Sequence, residues 1–455
     1  MISLEDRLKQ VKNPVELLRS APAVRADFQY PIEWGGWYDE QWAWRNTAIL
    51  FDQSLHMHDF VFTGPDVKRL FTHTGINSFA DFGRGMAKQF VAVNPDGYFI
   101  GDGILFAFED DEYHLVVGPT HMGAWLEYQA EIGGYDVEMT VDGRSRDIRD
   151  RKLYRYQMTG PAVQDVLEKA QGSPLDPIKF FHMGELKIAG RTVRALNHSM
   201  AGGRGRMQGL ELMGPVEDAD LVVNAIVEAG KEFGLRRGGA RAYGSSIAES
   251  GWFARPLPAI YTGEKMKPFR ERFPAASAER LDSLNGSFTT DDIEDYYWTP
   301  WDLGYGYLVK FDHDFIGREA LEASKDKPHR RKVFIEWDNE DVSRIITDSL
   351  FKTEDRPREL DVPGSMEAVH LDRVMIGDRL VGVSYYTGYT VSNGSWVSLG
   401  LIDEADAEDG AEVIVVWGED DGGAGKPLTQ PHVQTEVRGT VRLKVPAVTR
   451  GDAQS

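Results

Sequence analysis

The sequence has 455 residues, and 51 Lys and Arg against 72 Asp and Glu leave a formal net charge of −21. That length accommodates two to four domains with well-buried cores, and 42% apolar with 27% charged residues is a globular composition, not a disordered or fibrous one. The acidic excess repels polyphosphates and anionic lipid, which argues against nucleic-acid or membrane-surface binding as the main role.

Cysteine is absent, so thiolate nucleophiles, cysteine-ligated zinc, iron–sulfur clusters and disulfides are all removed, leaving oxygen and nitrogen chemistry. The opening Met1-Ile-Ser-Leu-Glu-Asp-Arg lacks a basic-then-apolar leader, and no stretch approaches a membrane-spanning length of apolar residues. A cytoplasmic protein is expected.

Along the chain, Ser3 is a candidate N-cap, with Leu4, Leu8 and Val11 at helical spacing and a break at Pro14. This predicts an N-terminal helix pair over 3–19. A weak internal repeat follows. Met57-His-Asp-Phe-Val-Phe-Thr-Gly-Pro-Asp-Val and Leu153-Tyr-Arg-Tyr-Gln-Met-Thr-Gly-Pro-Ala-Val each read as a strand entering Gly-Pro and then a helix, with Pro65 and Pro161 near the first helical position. Val67, Leu70 and Phe71, and in the second copy Val163, Val166 and Leu167, give each helix an apolar stripe. Leu210-Glu-Leu-Met-Gly-Pro, followed by Leu221-Val-Val-Asn-Ala-Ile-Val, suggests a third copy. Repeated strand–helix units with intervening strands such as Glu112-Tyr-His-Leu-Val-Val point to α+β sheets with helices on one face.

The basic segment 324–332 reads as a linker. Beyond it, runs beginning at Val333, Arg373, Leu380, Val397, Val413 and Val441 predict six strands with little helix between them, a barrel or sandwich. Residues 349–368 are expected to be irregular, and the acidic run 403–409 a solvated loop.

Several chemical motifs fail. The glycines Gly203, Gly205 and Gly209 are spaced one residue too widely for a dinucleotide loop. Gly425-Lys426 is followed by Pro427, which suits a hairpin turn and not a phosphate loop, and there is no Gly-x-Ser-x-Gly elbow. His56 and His58 on one strand face lack a third metal ligand, so one polar-pocket histidine and one structural histidine are expected. Asp102, between Gly101 and Gly103, reads equally as a turn aspartate or a catalytic one. Tyr243 is one of 17 tyrosines, most of which in any protein simply anchor packing.

Other segments carry a family likeness. Gly304-Tyr-Gly-Tyr-Leu-Val-Lys-Phe-Asp-His-Asp-Phe-Ile-Gly-Arg-Glu-Ala-Leu and Phe233-Gly-Leu-Arg-Arg-Gly-Gly-Ala-Arg-Ala-Tyr resemble the tetrahydrofolate-dependent aminomethyltransferase superfamily of the glycine-cleavage T-protein. Glu40-Gln-Trp-Ala-Trp-Arg-Asn-Thr-Ala-Ile-Leu-Phe-Asp-Gln-Ser, Glu249-Ser-Gly-Trp, Leu257-Pro-Ala-Ile-Tyr-Thr-Gly, Asp291-Asp-Ile-Glu-Asp-Tyr-Tyr and Tyr386-Thr-Gly-Tyr resemble, within it, the aryl O-demethylases of the vanillate, 3-O-methylgallate and syringate type.

The resemblance implies an α+β folate-binding body of two pseudo-repeated subdomains over 1–323 and a C-terminal β-barrel domain over 332–455. It implies methyl transfer from a lignin-derived methoxylated aromatic acid to tetrahydrofolate. By resemblance Tyr243 is the catalytic acid, Gln53, His56 and Tyr30 bind substrate, and Glu211, Trp252, Arg241 and Asp102 bind the folate. Gly101 replaces the first of the adjacent aspartates of T-proteins, which disfavours aminomethyl transfer. Pro119 stands where vanillate-type members carry an arginine, leaving His121 and Arg204 as candidates for the substrate carboxylate. Other tetrahydrofolate-dependent demethylation or aminomethyl transfer, and a non-catalytic folate-binding regulator, are the alternatives.

Overall fold

The computed structural model describes residues 2–21, 31–118, 121–198, 209–364, 369–423, 426–427 and 429–444. Ser3 caps the helix Leu4–Leu8, its Oγ accepting from Asp6 N at 3.1 Å, and Asn13 and Pro14 start the helix Pro14–Ser20.

Three β assemblies follow. The first is a five-stranded antiparallel sheet in the order Met86–Val93, Phe99–Ala107, Glu112–Val117, His58–Thr63, Glu138–Asp142. The second has six strands in the order Leu235–Gly238, Ala48–Asp52, Leu153–Thr159, Gly209–Pro215, Arg191–Asn197, Met183–Ile188. The third is a closed six-stranded barrel: Arg330–Trp337, Ser395–Asp403, Arg379–Thr390, Leu371–Ile376, Glu412–Trp417, Thr435–Arg442. The chain is thus α+β with a C-terminal β-barrel.

The internal repeat has a shared backbone device. Gly64 and Gly160 take φ of +136° and +133°, and a Cβ at either would run into a carbonyl oxygen, of Asp136 in one case and Thr47 in the other. Each turn delivers the chain to a helix, Val67–Thr74 or Val163–Gln171, whose apolar stripe is buried as the spacing predicts. The third copy departs from this. Gly214 and Pro215 remain in the strand, and the 3₁₀ turn Val216–Asp218 precedes the helix Ala219–Gly230.

Four other expectations are corrected. Asp102 is not in a turn but in the strand Phe99–Ala107, and its flanking glycines answer crowding, since a Cβ at Gly101 would meet Met122 and one at Gly103 would meet Val117 and Val116. A full helix, Asn339–Phe351, capped by Asp338, occupies the start of the barrel and the first residues of the stretch expected to be irregular. The last strand is Thr435–Arg442, earlier than the apolar run at Val441 suggests. Lys426 is buried, donating to the carbonyls of Arg19 (3.0 Å) and Leu284 (2.5 Å); the rest of the Gly203-to-Gln208 segment, and Gly425, lie outside the described residues.

One hydrophobic core runs from the five-stranded sheet through Phe253, Tyr296 and Trp298 to Phe334, Val383, Tyr385 and Leu399, so barrel and body pack continuously. Among the described residues no helix is long and apolar enough to cross a membrane.

Candidate active site

The helix Ala240–Ser250 carries Tyr243, and the segment around Glu40 holds that helix in place. Glu40 is fully buried; its Oε2 accepts from Gly239 N at the helix start (2.8 Å), and its Oε1 from Trp34 N and Gly35 N (2.6 and 2.9 Å). A carboxylate there satisfies an orphan donor and complements the helix dipole. Gln41 donates to Ser245 Oγ and accepts from Val391 N, and Arg45 Nε meets Glu249 Oε2 at 2.9 Å. Residues quoted above for family likeness therefore act here by fixing Tyr243. At the far end Gly251, with φ of +68°, turns the chain so that Trp252 enters the cavity.

Tyr243 is buried, edge-on to Phe51 and His56 with ring centroids 5.3 and 4.9 Å away. Gln53 Nε2 donates to its hydroxyl at 3.3 Å. Gln53 and His56 reach this point because the strand Ala48–Asp52 ends in an aspartate turn, Ser54 N donating to Asp52 Oδ1 at 3.0 Å. Burial, with the charge of Glu211, pushes the Tyr243 hydroxyl above its ordinary value of about 10. Burial and then Arg144, Arg255 and Arg151 pull His56 down to about 3. Both side chains are neutral near pH 7. His58 turns elsewhere: its Nδ1 meets the Gly118 carbonyl at 3.1 Å, and its ring stacks on Phe60.

These residues open onto a cavity of about 340 Å³, a size suited to small-molecule binding. Gln53, His56, Asp102, Glu211, Tyr243 and Trp252 all line it. Asp102 Oδ2 accepts from Gln89 Nε2 (2.7 Å), Tyr305 OH (2.9 Å) and Trp252 Nε1 (3.0 Å), which fixes the indole as a flat wall. Burial raises the pKa of Asp102 against those three donors.

Glu211 is buried within its strand, and not solvated at a strand end. One oxygen accepts from Arg155 Nη1 at 3.0 Å; for the other, the ion-pairing partner among the described residues is His198 Nδ1, 3.9 Å away. Arg155 is in turn held by Asp59, which also pairs with Arg151 at 2.7 Å. Burial raises the pKa of Glu211, and Arg155 opposes the rise. The free oxygen gives Glu211 room for a donor edge such as that of a pterin.

The barrel supplies the remaining wall. A register shift between Tyr385 and Thr387, with Tyr386 at φ of +47°, lets two consecutive tyrosines face the body. Tyr385 OH accepts from Arg255 N at 2.9 Å and Tyr386 OH donates to the Gly244 carbonyl. Lys332, at the barrel's first strand and not in a linker, lines the cavity beside Asp102. Arg255, Lys332, Tyr385 and Tyr386 were not among the expected site residues. For Lys332 the signal was the last of three consecutive basic residues, Arg330-Arg331-Lys332, leading an apolar strand; the bulge leaves none.

Two expected residues stand elsewhere. Arg241 is a surface residue in an ion pair with Glu33 (2.6 Å), pointing away from the cavity because Arg241 and Tyr243 lie two apart on one helix. His121 is committed to Asp282 at 2.9 Å. Tyr30, Pro119 and Arg204 lie outside the described residues.

A family model described as the GCVT N-terminal domain matches residues 24–255. Syringate O-demethylase of Sphingobium sp. (strain NBRC 103272 / SYK-6) is 41% identical over 445 residues, covering 96% of this chain and 95% of that protein. The chain belongs to the aminomethyltransferase (glycine-cleavage T-protein) superfamily. Sesamin methylene transferase of Sinomonas sp. (strain No.22) is another member-like relative, 30% identical with coverage of 92% and 91%. The aminomethyltransferase fold itself is matched by the crystal structure of glycine cleavage system aminomethyltransferase T from Bartonella henselae, with a TM-score of 0.61, 17% identity and coverage of 95% and 96%.

Proposed function

We propose that this aminomethyltransferase-fold protein is an enzyme that O-demethylates a methoxylated aromatic acid of the syringate and vanillate class, passing the methyl group to tetrahydrofolate. The observation that carries this reading is one cavity shared by a buried neutral phenol, Tyr243, and a buried carboxylate with a spare oxygen, Glu211. When bound, the reduced folate supplies the nucleophilic amine that takes the methyl carbon.

Glu211 holds the pterin's guanidine-like edge, for which a carboxylate is the matched acceptor. Trp252, pinned by Asp102, offers its face to the flat rings. Lys332 replaces Arg241 as the cation for the anionic glutamate tail, being the lysine in the cavity wall. Tyr243 holds its proton at the departing aryl oxygen and hands it over as the O–CH₃ bond breaks; Tyr243 would regain one from the folate amine, whose N–H proton would be shed on taking the methyl. The desolvation that raises Tyr243 acts equally on the departing aryl oxygen in the same cavity, so the two phenols stay comparable in acidity and the transfer costs little. Gln53 both donates and accepts, which orients the substrate's neighbouring ring oxygens. Buried neutral His56 packs at the ring edge of Tyr243 and does not compete for its proton. A cytoplasmic setting belongs to the same proposal.

The test is incubation of the purified protein with tetrahydrofolate and syringate, vanillate or 3-O-methylgallate, following the phenol and 5-methyl-tetrahydrofolate by chromatography. Both products in equal amounts are expected. Formation of neither from any of the three arenes refutes the reading.

A further inference from the structure

The acid group of a methoxylated aromatic substrate needs a cationic partner in the cavity. We propose that Arg255 reads the carboxylate of the aromatic substrate, its guanidinium forming the end of the cavity beside Tyr385 and Tyr386. This rests on the demethylase reading above.

Four observations carry it. Arg255 lines the cavity together with His56, Tyr243 and the two barrel tyrosines. Its backbone is fixed, the N–H donating to Tyr385 OH at 2.9 Å, and Pro256 follows it, so the side chain springs from a rigid point. Its guanidinium makes no hydrogen bond or ion pair with any described residue. The acid that reaches it through space, Asp282, is already held by His121 Nε2 at 2.9 Å and Tyr261 OH at 2.6 Å.

A largely buried guanidinium without a counter-ion is costly, and an incoming carboxylate removes that cost through a paired, fork-like contact. The other cations near the cavity are, among the described residues, otherwise engaged. Arg155 and Arg151 serve Asp59, Glu211 and Asp142. Lys332 sits at the Asp102 end, where its ammonium lies 5.9 Å over the Tyr305 ring. Arg144 raises the positive potential at His56 but is not part of the cavity wall. Arg255 is on the His56 side, close enough to depress that imidazole's basicity, which places it with the substrate and not with the folate tail.

The experiment compares syringate with 2,6-dimethoxyphenol, the same arene without its carboxylate, on the wild type, Arg255→Gln, Arg255→Lys and Arg144→Gln. KM and kcat are measured with saturating tetrahydrofolate, and binding of each arene is measured by calorimetry. Loss of a charge-assisted contact corresponds to roughly 10–100-fold. Arg255→Gln is therefore expected to raise KM and Kd for syringate by about that factor, to move kcat little, and to move KM for the neutral phenol far less. Arg255→Lys keeps the charge without the fork and falls between.

Equal losses on both arenes overturn the proposal, as does an acid preference that survives in Arg255→Gln, or one that collapses in Arg144→Gln instead. A wild type that binds neither arene overturns it too. A wild type that binds syringate without producing methyl-folate refutes the demethylase reading alone, because the binding comparison still judges Arg255.

Discussion

Replacing Tyr243 by Phe removes one oxygen and leaves the ring. The contacts that ring makes, with Phe51 at 5.3 Å and His56 at 4.9 Å between centroids, survive the change. One hydrogen bond lost is the long one from Gln53, at 3.3 Å, and a bond of this kind contributes about 0.5–1.5 kcal/mol to stability. Its loss is partly offset because a desolvated hydroxyl no longer needs a partner. In the proposed site, folate binding through Glu211 and Trp252 does not involve the phenol oxygen. Catalysis, in that proposal, does: losing a general acid lowers the rate roughly 10²–10⁴-fold, about 2.7–5.4 kcal/mol in the activation barrier for methyl transfer. The expected result is a kcat down by that factor, a tetrahydrofolate Kd within about 3-fold of wild type, and a thermal midpoint only slightly lower. The assay is single-turnover formation of 5-methyl-tetrahydrofolate from syringate, alongside folate titration and thermal melting. Turnover within about 5-fold of wild type removes Tyr243 from the mechanism. A large loss accompanied by equal loss of folate affinity assigns it a binding role instead.

Glu211→Gln keeps the fold, since Asp59 still neutralises Arg155, but weakens tetrahydrofolate roughly 10–100-fold by fluorescence titration; an unchanged Kd removes Glu211 from the pterin site. Arg241→Ala, cutting only a surface pair with Glu33, changes KM for tetrahydrofolate by no more than about 2-fold. With Tyr243 raised above 10 and His56 lowered to about 3, neither contributes an inflection to the kcat profile between about pH 5 and 9. His56 nevertheless makes stability acid-sensitive: the unfolded imidazole takes its proton near 6.5 while the folded one resists until about 3. Stability is therefore full above 6.5 and declines as pH falls through that window, by up to about 1.4 kcal/mol per unit. His56→Asn is expected to flatten the pH dependence of denaturant midpoints by about one proton.

The strand–helix repeat, the six barrel strands and the convergence of Gln53, His56, Asp102, Glu211, Tyr243 and Trp252 on one cavity were legible because each rests on local pattern or on motif likeness. Asp102 misled because two flanking glycines signal a turn, whereas here they make room for Met122 and Val117 across the sheet, a demand that only tertiary packing creates. Arg241 misled because charge alone does not say which side of a helix faces a cavity. The helix Asn339–Phe351 was readable in retrospect, with Asp338 as cap and Val342, Ile345 and Ile346 at helical spacing. Arg255 and the bulged Tyr385 and Tyr386 were not, since their meeting depends on how the barrel closes against the body.

That closure has a thermodynamic corollary. The cavity is a seam, with Lys332, Tyr385 and Tyr386 on one bank and Glu211, Gln53 and Tyr243 on the other. A ligand lodged there grips both halves, so its binding free energy is added to whatever already holds them together, growing as RT ln(1 + [L]/Kd). Loosening the barrel would spill the ligand, and supplying the ligand would weld the barrel on; the enzyme's durability in use is tied to the abundance of what it consumes.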